Sequence, residues 1–434
     1  MDHSHKRLSH LDFKVDRLGE CYIPSPIARI EFIDDASYVL YHTSVEDILE
    51  YLDRGEPPPA FEKAGARRHI YFDPRDLGCG IVTCGGLCPG LNNVIRAIVL
   101  SLHYHYGVSR VYGFRYGYEG LVQELGHKPM ELTPEVVSDI HQKGGTILGS
   151  SRGPQDVSKM VDTLEQMRIG ILFTIGGDGT LKGAQAIAKE IARRGLKISV
   201  IGIPKTIDND ISFIQQSFGF ETAVSEAVKI IAAAHSEAIG ARNGIGLVKL
   251  MGRESGFIAA MASLANNDVN FCLIPEVPVS LKHFLEALRE RLVSRGHAVI
   301  VVGEGVGKNL IGDSGMRDPS GNIKFPDVGV FLKDQILSYF NKIGMEVTLK
   351  YIDPSYTIRS LPANSHDSAM CLMLAHKAVH AGMSGRTNMV VGTWNNEFTH
   401  VPISLAVSRR KRIDPNSRLW HTVVAATGQP PDLG

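Results

Sequence analysis

A parallel α/β fold is what this sequence predicts, a sheet covered by helices on both faces, and three observations predict it. Short apolar runs recur from residue 78 onward, each followed directly by glycine, and amphipathic stretches separate them. Continuously apolar strands alternating with helices belong to sheets buried on both faces. In such sheets ligands bind beyond the C-terminal ends of the strands, so the chemistry is expected in the turns there.

The elements follow in order. Residues 1–74 are rich in charge and proline and lack the strand–glycine rhythm, so they read as an extension packed on the main body or an arm for a partner. Strands are expected at "GIVTCGG" 80–86, "ILFTIGG" 171–177, "ISVIGIP" 198–204, "GLVKLMG" 246–252, "NFCLIPEV" 270–277 and "AVIVVGEG" 298–305. Helices are expected at "TLKGAQAIAKEIARRG" 180–195 and "SLKHFLEALRERLVSRG" 280–296, with Ser280 as cap of the second and Gly296 as its close. Residues 312–329 read as a long surface loop.

Composition narrows the function. The 434 residues suffice for two domains or one large one. Lys plus Arg equals Asp plus Glu at 46 each, so no global field argues for nucleic acid or an anionic membrane. The basic run "SRRKR", 408–412, reads as solvated surface. The N-terminus lacks the apolar core of a secretory signal, and no run approaches the roughly 18 apolar residues of a membrane span. Six cysteines are too few for a disulfide scaffold, and Cys79, Cys84 and Cys88 lack the CxxC pairing of a zinc site. Reduced thiols in a cytoplasmic protein are expected.

The turns after the strands carry the chemistry. In "TCGGLCPGLNNVIRAIV", 83–99, Gly85 and Gly86 end a strand and Pro89 fits the first turn of a helix. Paired glycines before a helix N-terminus suit a phosphate, though a plain tight turn has the same form. In "IGGDGTLKGA", 175–184, three glycines surround Asp178, which reads as a magnesium carboxylate or as a helix cap. Gly179 leaves room for a bulky ligand. In "GIPKTIDNDI", 202–211, Thr206 can hold a phosphate oxygen, Asp208 can take a hydroxyl proton, and Asp210 can orient the site, with Lys205 alongside. Close carboxylates raise one another's proton affinity, which favours one as base.

Two further turns are basic. Arg253 in "KLMGRESGF", 249–257, can hold a phosphoryl oxygen bidentately. Lys350, Tyr356 and Arg359 in "LKYIDPSYTIRS", 349–360, suit a second phosphate, and Glu304 in "GEG" can accept from a sugar hydroxyl. "GGTILGSSRG", 144–153, adds Arg152 near the first phosphate site. Together the turns supply a glycine cradle with a metal carboxylate, a basic cradle, and a base. That is a layout for phosphoryl transfer from a nucleotide to a hydroxyl of a phosphorylated acceptor.

"GGLCPGLN", "GGTILGSSRG", "GGDGT", "PKTIDND", "GFETAVSEA", "MGRESGF", "PEV" and "YIDPSYTIR" occur in the order and spacing of the 6-phosphofructokinase family, over residues 78–405. The chain most resembles its long-chain, plant- and trypanosome-like ATP-dependent branch. The resemblance implies two similar α/β domains with the active site in the interdomain cleft. It implies an ATP-binding domain over 75–220 plus 357–405, and a sugar-phosphate domain over 221–356 plus 406–434. Implied partners are Mg²⁺, ATP and fructose 6-phosphate, in a homodimer or homotetramer.

The resemblance also assigns residues. Asp208 is the implied proton acceptor, with Arg253 and Lys205 in the catalytic set, and Asp178 the magnesium carboxylate. Gly86, Tyr118, Arg152, Gly153, Gly177, Asp178, Gly179 and Thr180 would line the nucleotide site. Thr206, Ile207, Asp208, Met251, Gly252, Arg253, Glu304, Lys350, Tyr356, Thr357, Ile358 and Arg359 would hold the sugar phosphate. Lys205 is typical of pyrophosphate-dependent members, whereas those members usually carry aspartate at the place of Gly179. The pairing of Gly179 with Lys205 occurs in long-chain ATP enzymes. Gly244 stands where short-chain relatives have an arginine that reaches a neighbouring subunit, and Arg242 is a candidate substitute. The alternatives are a pyrophosphate-dependent enzyme, a kinase of the NAD or diacylglycerol type sharing only "GGDGT", and a silent regulatory paralogue.

Overall fold

The computed structural model describes residues 11–28, 30–312, 327–431 and 433. Most of the loop expected over 312–329 lies outside the described residues. The chain divides into two compact units. The first comprises residues 1–206, 211–218 and 362–409, and the second comprises 207–210, 219–361 and 410–434.

In the first unit the strands Gly78–Thr83, Ile169–Gly176 and Ser199–Pro204 are almost wholly buried. Strands without a polar face need cover on both sides, and parallel pairing with helical crossovers supplies it. They stand side by side in a nine-stranded sheet whose spatial order is Tyr38–Leu40, Ala60–Lys63, Glu397–Pro402, Met389–Trp394, Ser199–Pro204, Ile169–Gly176, Gly78–Thr83, Arg110–Phe114 and Met130–Glu131. The five strands from Met389–Trp394 to Arg110–Phe114 are parallel, and the outer ones are antiparallel.

Residues 38–40 and 60–63, which showed no strand rhythm in sequence, thus extend this sheet. A buried ion cluster ties them to the C-terminal strands. Arg67 and Arg386 both contact the Glu62 carboxylate, His400 adds a third contact at 3.2 Å, and Arg386 reaches Asp35 at 2.6 Å. Burial opposes ionisation of Glu62, but His400 and Arg386 outweigh it and hold the carboxyl far below its ordinary range.

The helix Asp178–Arg193 buries Leu181, Ala184, Ile187, Ala188 and Ile191, a spacing of three and four that places one face on the sheet. Its bounds sit two residues N-terminal to the expected ones.

The second unit has a four-stranded parallel sheet in the order Phe271–Leu273, His297–Gly303, Gly244–Leu250 and Thr348–Ile352. Its core joins Ile245, Leu247, Ile300 and Val302 to Phe284, Leu288, Leu332 and Ile336 from the flanking helices. The helix Leu281–Arg295 is capped as expected: Ser280 Oγ accepts from the His283 N–H, and Gly296 closes it at φ 76°. The strand expected over 270–277 is shorter. Leu273 is its last residue, because Pro275 lacks an N–H for the ladder. Among the described residues, no helix is long and apolar enough to cross a membrane.

Candidate active site

Three turns of the first unit adjoin because their strands do. Pro204 is in register with Gly176, and Ile175 with Thr83, so the strand ends carrying "PKT", "GGDGT" and "CGG" stand in one row. The turns are cross-linked. The Lys205 N–H donates to the Gly176 carbonyl, and the Cys84 N–H to that of Ile175. Lys205 is buried, and its ammonium donates to the Gly86 carbonyl at 2.8 Å. The segment 149–153 braces the same turn: Ser150 Oγ donates to the Gly85 carbonyl, and Thr83 Oγ1 to that of Gly149. Arg152 lies so close that a Cβ on Gly86 would stand 3.2 Å from its guanidinium.

Gly90, at φ 103°, begins the helix Leu91–Ser101, so Pro89 stands before the helix rather than in its first turn. A Cβ on Gly90 would meet Cys371 Sγ at 2.7 Å and the Phe218 ring at 2.9 Å. Only glycine fits that backbone and that gap.

Asp178 is the first helical residue, preceded by Gly177 as cap, and its carboxylate pairs with Lys182 at 2.8 Å. No group of three or more His, Cys, Asp and Glu able to hold a metal ion occurs among the described residues. A single carboxylate at a helix N-terminus fits a magnesium ion that takes its remaining ligands from phosphates and water. The space in front of Gly179 is open, since a Cβ there would meet nothing within 4 Å. Tyr118 is buried, and its hydroxyl donates to the Thr180 carbonyl at 2.6 Å, which fixes the start of the Asp178 helix.

In the second unit, Asp208 is buried and its carboxyl is pushed up to about 7. Burial is the largest cause, then the charges of Asp210 and Glu304, with Arg253 and Arg359 opposing. Arg253 Nε lies 4.0 Å from Asp208 Oδ2. Its backbone is left-handed, at φ 50°, a strained value for arginine. Two features hold it there. Glu304 Oε1 accepts the Arg253 N–H at 2.9 Å, and a side chain on Gly305 would collide with the Arg253 carbonyl. Glu304 thus serves the Arg253 backbone as well as the local field.

Arg359 donates to Met251 Sδ at 3.1 Å and reaches Asp208 electrostatically. Thr206 and Ile207 are buried, as are Met251 and Ile358, whereas Tyr356 and Thr357 are exposed. Lys350 is exposed on the edge strand, level with Gly246, which is four residues and about 13 Å short of the strand end at Leu250. Arg242 is exposed before the strand Gly244–Leu250, and a Cβ on Gly244 would collide with the Ala238 carbonyl.

The run "SRRKR" is corrected in part: Ser408, Arg409 and Arg412 are exposed as expected, but Arg410 and Lys411 are not. Arg410 lies 3.8 Å from the Asp210 carboxylate, and the Lys411 N–H donates to the Asp210 carbonyl. The Lys411 ammonium donates to Asn209 Oδ1 at 3.1 Å and sits 5.2 Å over the Phe257 ring. Burial lowers Lys411 to about 7, with Asp210 opposing. The segment is itself anchored. Glu276, from "PEV", accepts the N–H groups of Gly256 and Ile413, and Ser255 Oγ donates to the Lys411 carbonyl. Arg410 and Lys411 thus pack over residues 209–210, half-buried. A charge count cannot find such a contact, because nothing local marks the return of the chain. Five of the six cysteines are buried and all six are free, and burial pushes the Cys84 thiol up to about 12.

A family model described as "Phosphofructokinase" matches residues 78–382. An ATP-dependent 6-phosphofructokinase from Borreliella burgdorferi is 48% identical over 435 residues, covering 97% of each chain. One from Trypanosoma brucei brucei is 46% identical, covering 95% of this chain and 86% of its own. Among solved structures, the pyrophosphate-dependent phosphofructokinase from Marinobacter aquaeolei superposes with a TM-score of 0.68 at 19% identity, covering 82% of this chain and 92% of its own. At that identity it speaks for the fold alone.

Proposed function

The chain belongs to the phosphofructokinase family, and we propose that it transfers the γ-phosphate of ATP to the 1-hydroxyl of fructose 6-phosphate, giving fructose 1,6-bisphosphate and ADP. The observation that carries this reading is the buried Asp208 carboxyl, pushed up by burial and by Asp210 and Glu304, with Arg253 Nε 4.0 Å away. A base that titrates near the working pH takes a hydroxyl proton most effectively. Arg253 neutralises charge on the transferring group, and Arg359 holds the sugar phosphate.

On the donor side, the backbone of Gly86 and Gly177 and the guanidinium of Arg152 receive the nucleotide phosphates. Asp178 would hold the magnesium ion, which supplies charge neutralisation across those phosphates. The open space at Gly179 favours a nucleotide over bare pyrophosphate. Asp178, Asp208 and Arg253 are all present, which disfavours a silent paralogue. Free cysteines suit a reducing cytoplasm, and the assembly is a homodimer or homotetramer, to be measured by sedimentation.

The test is a donor comparison on the full chain. Fructose 1,6-bisphosphate should form with Mg-ATP and not with Mg-pyrophosphate. Turnover with pyrophosphate alone would reverse the donor assignment, and no product with either would support the silent paralogue.

A further inference from the structure

Three side chains of the second unit that the reaction does not use converge at the start of the strand His297–Gly303. His235 lies on the helix Phe220–Ile239, Asp268 follows the helix Phe257–Asn266, and His297 opens the strand. Glu304 follows the other end of that seven-residue strand, about 23 Å away. The cluster is therefore remote from Asp208 and Arg253.

On its Nδ1 side each ring faces an oxygen. His235 Nδ1 lies 3.3 Å from Asp268 Oδ2, and His297 Nδ1 lies 3.2 Å from the Arg295 carbonyl. A carboxylate and a carbonyl only accept, so each Nδ1 carries the proton. With Nδ1 turned to those oxygens, the two Nε2 atoms face each other at 3.4 Å. Two lone pairs so placed repel unless a positive charge lies between them. A shared proton would draw the nitrogens closer, towards about 3 Å. Two imidazoles on one tetrahedral zinc ion, each at about 2.0–2.1 Å, stand about 3.3–3.4 Å apart.

We propose that His235 and His297 bind one divalent transition-metal ion of the zinc class through their Nε2 atoms, with water completing the shell. Asp268 and the Arg295 carbonyl act as the outer partners that orient each ring. Water can reach the cluster, since His235 is 24% and Asp268 46% exposed. The nearby Arg291 donates from Nε to the His297 carbonyl and so addresses backbone rather than the rings. The ion would tie the Phe220–Ile239 helix to the four-stranded sheet of the second unit, independently of any turnover.

The test uses the full chain without a histidine tag. Zn²⁺ titration calorimetry should give one ion per chain at a dissociation constant of about micromolar order, and Co²⁺ should give the visible absorption of a low-symmetry site. His235→Gln and His297→Gln should each weaken binding at least tenfold, and Asp268→Asn by about tenfold. A zinc-dependent rise in melting temperature should appear in the parent and vanish in His235→Gln. His105→Ala/His376→Ala, which removes another close imidazole pair (ring centres 5.1 Å apart), should change none of this. Absence of binding up to millimolar zinc would overturn the proposal in favour of a shared proton. Binding that survives His235→Gln and His297→Gln, or is lost in the His105/His376 variant, would overturn it too.

Discussion

Replacing Asp208 by asparagine is expected to stabilise the protein increasingly as pH rises while removing turnover. The carboxyl is buried, and its folded value near 7 stands against 3.8 for an ordinary aspartate. The sign follows from linkage. A raised folded value means that the stability tied to this proton is complete below about 4, falls as pH rises through 7, and stays lost above it. Asparagine has no such proton. Between pH 5 and pH 8.5 the stability gap between variant and parent should therefore widen by about 3 kcal/mol, at about 1.4 kcal/mol per pH unit up to 7. A chain of 434 residues has an unfolding entropy of roughly 0.9 kcal/mol per degree, so the melting temperatures should diverge by about 3 °C. Melting curves of both proteins at one scan rate from pH 5 to 8.5 measure this. A gap that is flat with pH would refute the claim that burial and like charge strain Asp208, whatever happens to turnover.

Glu304→Gln keeps an acceptor for the Arg253 N–H but removes a charge facing Asp208, so the acid limb of the kcat profile should move to lower pH; an unmoved limb would place Glu304 outside that field. Lys411→Met removes a cation beside Asn209 and Asp210 and should move the same limb upward with little change in KM for ATP, and Lys411→Arg should restore it in part. Gly179→Asp meets no steric obstacle, so its melting temperature should match the parent while kcat/KM for ATP falls at least tenfold from carboxylate–phosphate repulsion; unchanged ATP kinetics would remove Gly179 from donor selection.

The fold was legible because its buried strands are continuous apolar runs, and such runs leave little choice of architecture. Ser199–Pro204 is buried at every position and reads so in sequence. The turns were legible for the same reason: glycine, lysine and aspartate directly after a core strand have few structural uses there. Contacts made by a returning chain were not legible. Lys411 lies some two hundred residues from Asn209, and the sequence around it looks like any basic surface run. The turn of the Tyr118 hydroxyl towards the Thr180 carbonyl was not legible either, because an aromatic next to glycines carries no mark of which way it turns. The short strand Phe271–Leu273 reflects Pro275, a signal that was present and outweighed by the apolar residues around it.

The loop after Ser199–Pro204 concentrates features that a stable protein avoids. Asn209 and Phe213 hold φ of 53° and 57°, and the Asp208 carboxyl is buried near the like charge of Asp210. Left-handed non-glycine residues cost of order 1–3 kcal/mol each. Their persistence requires rigid support, which the adjoining buried strands and the Glu276 anchor supply. Lys205 belongs to the same economy of support. Its ammonium donates to the Gly86 carbonyl and so fixes the glycine turn. That contact gives lysine a reason to be there under either phosphoryl donor. The donor is then read from the open space at Gly179, and Lys205 ceases to argue for pyrophosphate.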